Sequence, residues 1–557
     1  MAKALTFKDT TPYPRAKGPR LSTATVLVLV GLLASCHRSE PDPQVFHYNQ
    51  ESPILSLDPA MARDQAGNWT ARLLFNRLVE LDSSLRPVPS LALSWSVEAG
   101  GCLYRFTLRD SVWFHRDPSM GMAGSRMVRA ADVAFSLNRL MDPATASPGA
   151  WIFRDRLGKG GIRATDSLHL EIHLKTPFPP LLGLLSMGYC SVVAPEAVRH
   201  YGAAFRAHPV GTGPFALSFW EEGEGLVMQR HPKYFEKDRS GRPLPYLKAV
   251  QVHALADKSA AAMAFLQGRL DVLWSWEPAL QRYLLDSNLA LKQDYRRRFQ
   301  LVQGPYLNTE YLGFLLNPVA KAAHPALQDR QVRLALHYGT DRNTLVRALR
   351  GGMGTPGWGG LIPPGLPGHY PGLPHSAYQP ELARRYLTKA GYGPARTLQL
   401  QLETNPSYSD LAQFLQAHWK PLGINLQIRV SQGPTLRQMI SGQEATVFRA
   451  SWIADYPDAE NYLALAYGPH RVPYGPNYTC FENPDFDRRY KEALLQPELS
   501  LRAPMYRAMD SLLHEQQPLL VLYYDRMFQL LQQGWTGWYV SPLNLPDFRY
   551  LRRVEQP

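Results

Sequence analysis

The sequence predicts an α/β protein of mixed α+β character, and three observations carry that reading. Strand-like alternation and the i, i+3, i+4 apolar spacing of helices succeed one another along most of the chain. At 557 residues, the chain exceeds what one hydrophobic core holds, so two or three lobes are expected. A composition of 45% hydrophobic and 19% charged residues can fill those cores, and no long low-complexity or single-charge block argues for disorder.

The elements follow in chain order. "RLSTATVLVLVGLLASC" sets a cationic flank before an apolar run, Val26 to Leu33, then small residues and Cys36. That order reads as a secretory signal over residues 1–35, too short to span a bilayer. "VFHYNQESPILSLDP" alternates like a strand, and "WTARLLFNRLVELD" is spaced like an amphipathic helix. "CLYRFTLRDSVWFH" returns to strand, "AADVAFSLNRLMDP" to helix, and "SLHLEIHLKTPFPPLLGLLS" is a strand broken by prolines before an apolar helix. "PVGTGPF", Pro209 to Phe215, reads as a tight loop feeding a strand. Alternation continues through "YLKAVQVHALAD", "SAAAMAFLQGRLDVLW", "QVRLALHYGTDRNTLVRALRGG", "PELARRYLTKAGY" and "TLQLQLETN". The glycine- and proline-rich stretch from Gly351 to Pro374 is expected to be a long, irregular surface excursion. No internal repeat of fixed period is present.

Charge and motifs exclude several function classes. The net charge of +13 would suggest nucleic acid or an anionic membrane, but +4 of it lies before residue 36 and the rest is spread thinly. Beyond Cys36 the cysteines are Cys102, Cys190 and Cys480, which allow one disulfide and a free thiol or three thiols; no C-x-x-C suggests zinc or redox chemistry. Gly211-Thr212-Gly213 is followed by Pro214, not by a dinucleotide fingerprint, and the glycines near 351–360 lack the Gly-Lys-Ser/Thr ending of a P-loop. "HEQQP", His514 to Pro518, has proline where a zincin's second histidine belongs. No catalytic constellation and no cofactor are expected.

One run stands apart. "RASWIADYPDAENY", Arg449 to Tyr462, sets Asp455 and Asp458 among Trp452, Ile453, Tyr456 and Pro457. A carboxylate in such surroundings is costly to desolvate unless a cation or several donors meet it. The partner is either a neighbouring side chain or something brought from outside.

Nine segments, in one order, resemble the bacterial solute-binding proteins that serve ABC importers for oligopeptides and dipeptides, extracellular family 5. They are "SLDPA", "LLFNRLVELD" with "RPVPSLALSW", "YRFTLRDSVWFH", "AADVAFSLNRLMDPATASP", "PVGTGPF", "FLQGRLDV", "QVRLALHYGTDRNTLV", "LARRYLTKAGY" and "WIADYPDAENYL". Leu33-Ala34-Ser35-Cys36 is similar to a lipobox, implying lipidation at Cys36, a linker over 36–42, and an extracytoplasmic protein anchored to a bacterial membrane. The resemblance implies a periplasmic-binding-protein clamshell with a two-strand hinge and a nested extra domain. Lobe I maps to 43–80, 207–305 and 516–557, the extra domain to 81–206, and lobe II to 306–515.

For the site, the resemblance implies that Asp455 takes a peptide's α-ammonium and that Trp452 forms an apolar wall, with Tyr456 and Pro457 shaping the turn beyond. Arg449 would read a carboxylate by a bidentate contact or pair internally with Asp455 or another acid, Arg63, Asp64 and Gln65 would line the ligand backbone, and Tyr311 would face the cleft. Asp458 is the turn or cap residue of the acid pair. The implied partners are a peptide ligand and ABC permease subunits, with a monomeric state and no nucleic acid. Ser451 and Ala459 depart from the family's usual glycine and proline, and family members also bind nickel chelates, opines and oligosaccharides. A non-peptide solute on the same fold is therefore the alternative reading, with an extracellular hydrolase behind it.

Overall fold

Two strands far longer than the rest organise the molecule: Phe299–Phe314, of 16 residues, and Leu519–Gln532, of 14, paired antiparallel. The computed structural model describes residues 44–371 and 377–554. The signal segment and Cys36 lie outside the described residues, and no described helix is long and apolar enough to cross a membrane.

The long pair belongs to a seven-stranded sheet in the order Val272–Leu273, Leu519–Gln532, Phe299–Phe314, Val447–Ile453, Leu398–Thr404, Ile424–Val430, with Gly354–Pro356 also on the 519–532 strand. Alternation along these strands feeds two cores on opposite faces. Tyr311, Phe448, Val521 and Tyr524 join one; Leu312, Val447, Leu522 and Tyr523 join the other. A sheet buried on both faces must be apolar at successive positions, and from Leu307 to Phe314 every residue is buried.

Two four-stranded sheets complete the frame. Val45–Asn49 pairs parallel with Ala249–His253, which continues antiparallel to Gly225–Arg230 and Phe215–Glu221. Ala92–Glu98, Leu103–Leu108, His169–Leu174 and Leu157–Ala164 form an antiparallel sheet. One core spans both sheets, from Phe46 to Val252, with Trp69 and Leu73 of the helix Gln65–Leu74 inside it. The loop at Pro209 to Phe215 packs on that helix's end: Gly213 donates to the Leu74 carbonyl at 3.0 Å, and a Cβ there would lie 2.4 Å from the Leu74 carbonyl carbon. Glycine is required because two backbones touch.

Most expected elements appear in place, including helices Ala130–Arg139, Arg330–Tyr338, Arg342–Arg350 and Pro380–Lys389. Cys102, Cys190 and Cys480 are free thiols, and burial pushes Cys190 up to about 12. The stretch after Gly351 differs from expectation. Residues 357, 359–363, 366 and 368 are buried, so this segment is core rather than a surface excursion; 372–376 lie outside the described residues.

The reason is a set of polar clamps on its backbone. The Asp510 carboxylate accepts from Leu361 N at 2.8 Å and Ile362 N at 3.2 Å, the Thr309 hydroxyl donates to Leu361 O at 3.0 Å, and the Tyr524 hydroxyl donates to Gly360 O at 2.5 Å. Gly360, at φ +93°, leaves the space that Asp510 fills. With its amides and carbonyls satisfied, an irregular segment can be buried at little cost.

Burial raises Asp510 from 3.8 to about 7, against the opposing pull of its two backbone donors. An acid with a raised native pKa holds its proton more tightly when folded, so its contribution to stability is complete below the unfolded pKa and is lost as pH rises through about 7. Calorimetric unfolding at about pH 5 and about pH 8 should show a smaller fall in thermal midpoint for Asp510→Asn than for the parent. An equal fall in both would acquit Asp510.

Candidate functional site

Strand Val447–Ile453 pairs antiparallel with Phe299–Phe314, Ile453 opposite Asn308, and Ala454 N donates to Leu307 O at 2.9 Å. Asp455 follows directly, so the sheet fixes where its carboxylate emerges. Asn461, on the short helix Glu460–Leu463 and itself buried, holds it there. The Asn461 amide oxygen accepts from Asp455 N at 3.1 Å and from Trp452 Nε1 at 2.9 Å, and its amide nitrogen reaches Asp455 Oδ2 at 3.4 Å.

Among the described residues, no cation pairs with Asp455. Burial raises its carboxyl above the usual aspartate range, and the only opposing influence is the hydrogen bond from Asn461. The side chain is nonetheless reachable by solvent. Its charge is felt on both sides: after burial, it is among the causes raising the phenols of Tyr189, which packs in the core spanning the two four-stranded sheets, and Tyr478, which packs on the core that holds Tyr311. Asp64 and Arg63 also act on Tyr189, placing that predicted pair near Asp455.

Arg63, Asp64 and Gln65 are exposed as a backbone-lining role needs, although Arg63 N is engaged with Met61 O at 2.7 Å and Asp64 caps the helix through Gly67 N at 2.9 Å. Gln65 lines a cavity of about 370 Å³. Its walls come from the Asn49–Ser52 segment, Trp69, Trp274 and Trp276 on one side and from Tyr306, Arg350 and Asp525 on the other. Tyr306 joins the two regions, since both it and Asp455 act electrostatically on Tyr462. A larger hollow of about 580 Å³, lined by Arg109, Lys237 and Tyr539, contains none of the sequence-predicted ligand residues.

Three expectations are corrected by the geometry. Tyr311 is 2% exposed and packs in a core, so it does not face the cleft. Tyr456 is also 2% exposed: it inserts into the core spanning the two four-stranded sheets beside Gly183, and its hydroxyl donates to buried Glu460. Trp452 is half-buried and shares Asn461 with Asp455, and Asp458 is paired with Arg502 at 3.1 Å and accepts from Glu460 N at 2.9 Å. The third correction is Arg449. Its Nε and Nη2 form a bidentate pair with Glu310, and its guanidinium lies 3.3 Å from the centroid of the Tyr408 ring.

The register explains the pair. Leu312 opposes Arg449 and Glu310 opposes Ser451, so Arg449 and Glu310 are diagonal neighbours on one face. With side chains 9% and 0% exposed, the pair is structural in this conformation. Arg449→Met, which strands Glu310, should cost about 3 kcal/mol of unfolding free energy in denaturant titration, whereas Arg449→Met with Glu310→Met should recover most of it. Equal losses in the single and double variants would contradict a closed ion pair.

Comparison with known proteins follows the same lines. The family described as bacterial extracellular solute-binding proteins, family 5 middle, matches residues 86–473. Over 510 residues the chain is 28% identical to the probable di/tripeptide-binding protein 5 of Pseudomonas aeruginosa (strain UCBPP-PA14), covering 86% of this chain and 90% of the relative. It is 25% identical over 495 residues to the dipeptide-binding protein of Escherichia coli (strain K12), covering 85% and 88%. The ABC transporter-associated periplasmic binding protein DppA from Helicobacter pylori, solved with the peptide STSA, shares the fold at TM-score 0.76 and 21% identity, covering 91% of this chain and 98% of that one. The expected fold class and resemblance therefore stand, and the chain belongs to the bacterial extracellular solute-binding proteins of family 5, a family of binders rather than enzymes.

Proposed function

We propose that the protein captures short peptides with a free N-terminus in a cleft that closes between two lobes, and delivers them to an ABC importer. Asp455 is the observation that carries the reading. A carboxylate raised by burial, positioned by Asn461 and without a protein cation, gains most from a ligand that brings a primary ammonium. The di/tripeptide-binding name of the 28%-identical relative supports the same ligand class. The long strands Phe299–Phe314 and Leu519–Gln532 serve as the hinge, with lobe I over 43–80, 207–305 and 516–557, the nested domain over 81–206, and lobe II over 306–515. Lipid on Cys36 tethers the mature chain, as a monomer, to the outer side of a bacterial membrane, where permease subunits receive the ligand.

Calorimetric titration with Ala-Phe and Ala-Ala-Phe tests this. Free peptides should bind, and their N-acetylated forms should bind weaker by about 2 to 5 kcal/mol, as should free peptides to Asp455→Asn. Affinity for the free peptides should also fall on acidification, beginning above the ordinary aspartate pKa of 3.8, because the raised Asp455 carboxyl protonates early. Equal binding of free and acetylated peptides would remove the ammonium role, and binding of neither would move the function to a non-peptide solute.

A further inference from the structure

Positive charge that lies thin along the sequence is gathered by the fold beside Gln44, where the described residues begin. Resting on the lipid anchor proposed above, we propose that Arg230, Arg242 and Arg552 form a docking surface for the anionic phospholipid headgroups of the membrane that holds Cys36.

Segments far apart in sequence meet there. Lys248 N donates to Gln44 O at 2.9 Å, and Arg230 N donates to Lys248 O at 2.8 Å, so two backbone hydrogen bonds lead from Gln44 to Arg230. The Arg230 side chain folds back over the same connection, its Nε donating to Leu247 O at 2.8 Å and its Nη2 to Tyr246 O. Arg242 and Arg552 flank that tyrosine, their guanidinium carbons 4.8 Å and 5.4 Å from the centroid of its ring. Burial, and then the Arg242 charge, lower the Arg230 guanidinium from its ordinary value, so these two cations stand close enough to repel.

All three arginines are exposed, and among the described residues none forms an ion pair. The acid beside them, Asp238, is already occupied: it accepts from the Tyr246 hydroxyl, from Ser240 N at 2.8 Å, from Ser240 Oγ at 2.7 Å and from Arg242 N at 2.9 Å. Like charges gathered without counter-charge gain from an anionic layer, and a guanidinium matches a phosphate through paired donors. Tyr550 and Val554, two residues to either side of Arg552 and 43% and 48% exposed, supply aromatic and apolar surface suited to headgroup depth.

The length of chain before Gln44 selects the membrane as the occupant. Eight residues, 36–43, join Cys36 to Gln44, and a chain of that length reaches at most about 28 Å. A lipid on Cys36 therefore keeps headgroups within reach of the face where the chain enters. The charged residues of that tether, Arg38, Glu40 and Asp42, sum to one negative charge, too few to neutralise three arginines.

Sedimentation of the mature chain without lipid, residues 37–557, with vesicles of phosphatidylcholine alone or with about 30% phosphatidylglycerol tests the surface. The chain should partition at least about tenfold more strongly to the anionic vesicles at about 50 mM salt, and lose that preference at about 500 mM. Arg242→Gln with Arg552→Gln should bring the ratio to about two or less without moving the thermal midpoint. Arg385→Gln with Lys389→Gln, which removes the same charge from exposed positions on the helix Pro380–Lys389, should leave the ratio within about twofold of the parent's. No anionic preference in the parent, or an equal fall in both double variants, overturns the surface. Incorporation of a labelled fatty acid into the full chain in a bacterial host reads the anchor separately. Label without vesicle preference keeps the anchor and overturns the surface; preference lost only with Arg242 and Arg552, but without label, supports the surface and removes the anchor.

Discussion

Everything in this structure hangs from the pairing of two long strands and from one of the two places where its register shifts. Between Pro305 and Thr309 the register of Phe299–Phe314 against Leu519–Gln532 shifts. Proline has no amide to give to a ladder, so a break there costs least. Before the shift the first strand is mostly half-exposed, and after it every residue is buried. One pair of chains thus serves two packing environments. The break also frees Tyr306 and Asn308 from pairing with Leu519–Gln532: Tyr306 lines the cavity, and Asn308, still paired with Ile453, holds Asp525.

The site follows from that frame. Strand Val447–Ile453 is aligned by the same long strand Phe299–Phe314, and Asp455 follows its far end, where its charge raises the phenols of Tyr189 and Tyr478. A sheet can set a carboxylate's position with little freedom because the backbone ahead of it is already hydrogen-bonded. Asn461 then fixes its orientation, and among the described residues no cation pairs with it.

Much of this was legible in the sequence, and what was not has a common cause. Asp455 and Trp452 could be found because their neighbours in sequence are also their neighbours in space. Tyr311 could not be assigned a face, because Glu310, Tyr311 and Leu312 are all buried and a strand covered on both sides shows no alternation. Arg449 depended on register, which brings Glu310 diagonally beside it from 139 residues away. Asn461 left a faint signal, an amide among apolar residues six positions after Asp455. Arg350 and the buried segment at residues 359–363 left none, since their partners Asp525 and Asp510 lie 175 and about 150 residues further along the chain.

Tyr456 has a thermodynamic consequence. It is bonded to Asp455 and belongs to the segment that builds the core holding Tyr311, yet its ring is sunk in the core that spans the two four-stranded sheets. Drawing the two cores apart would expose that ring, and burying an aromatic side chain is worth about 2 to 3 kcal/mol. Any open form is therefore handicapped by this one residue before a ligand arrives. Measured affinity would then report a population as well as a contact: a variant at Tyr456 would change how often the site is assembled without touching what it recognises.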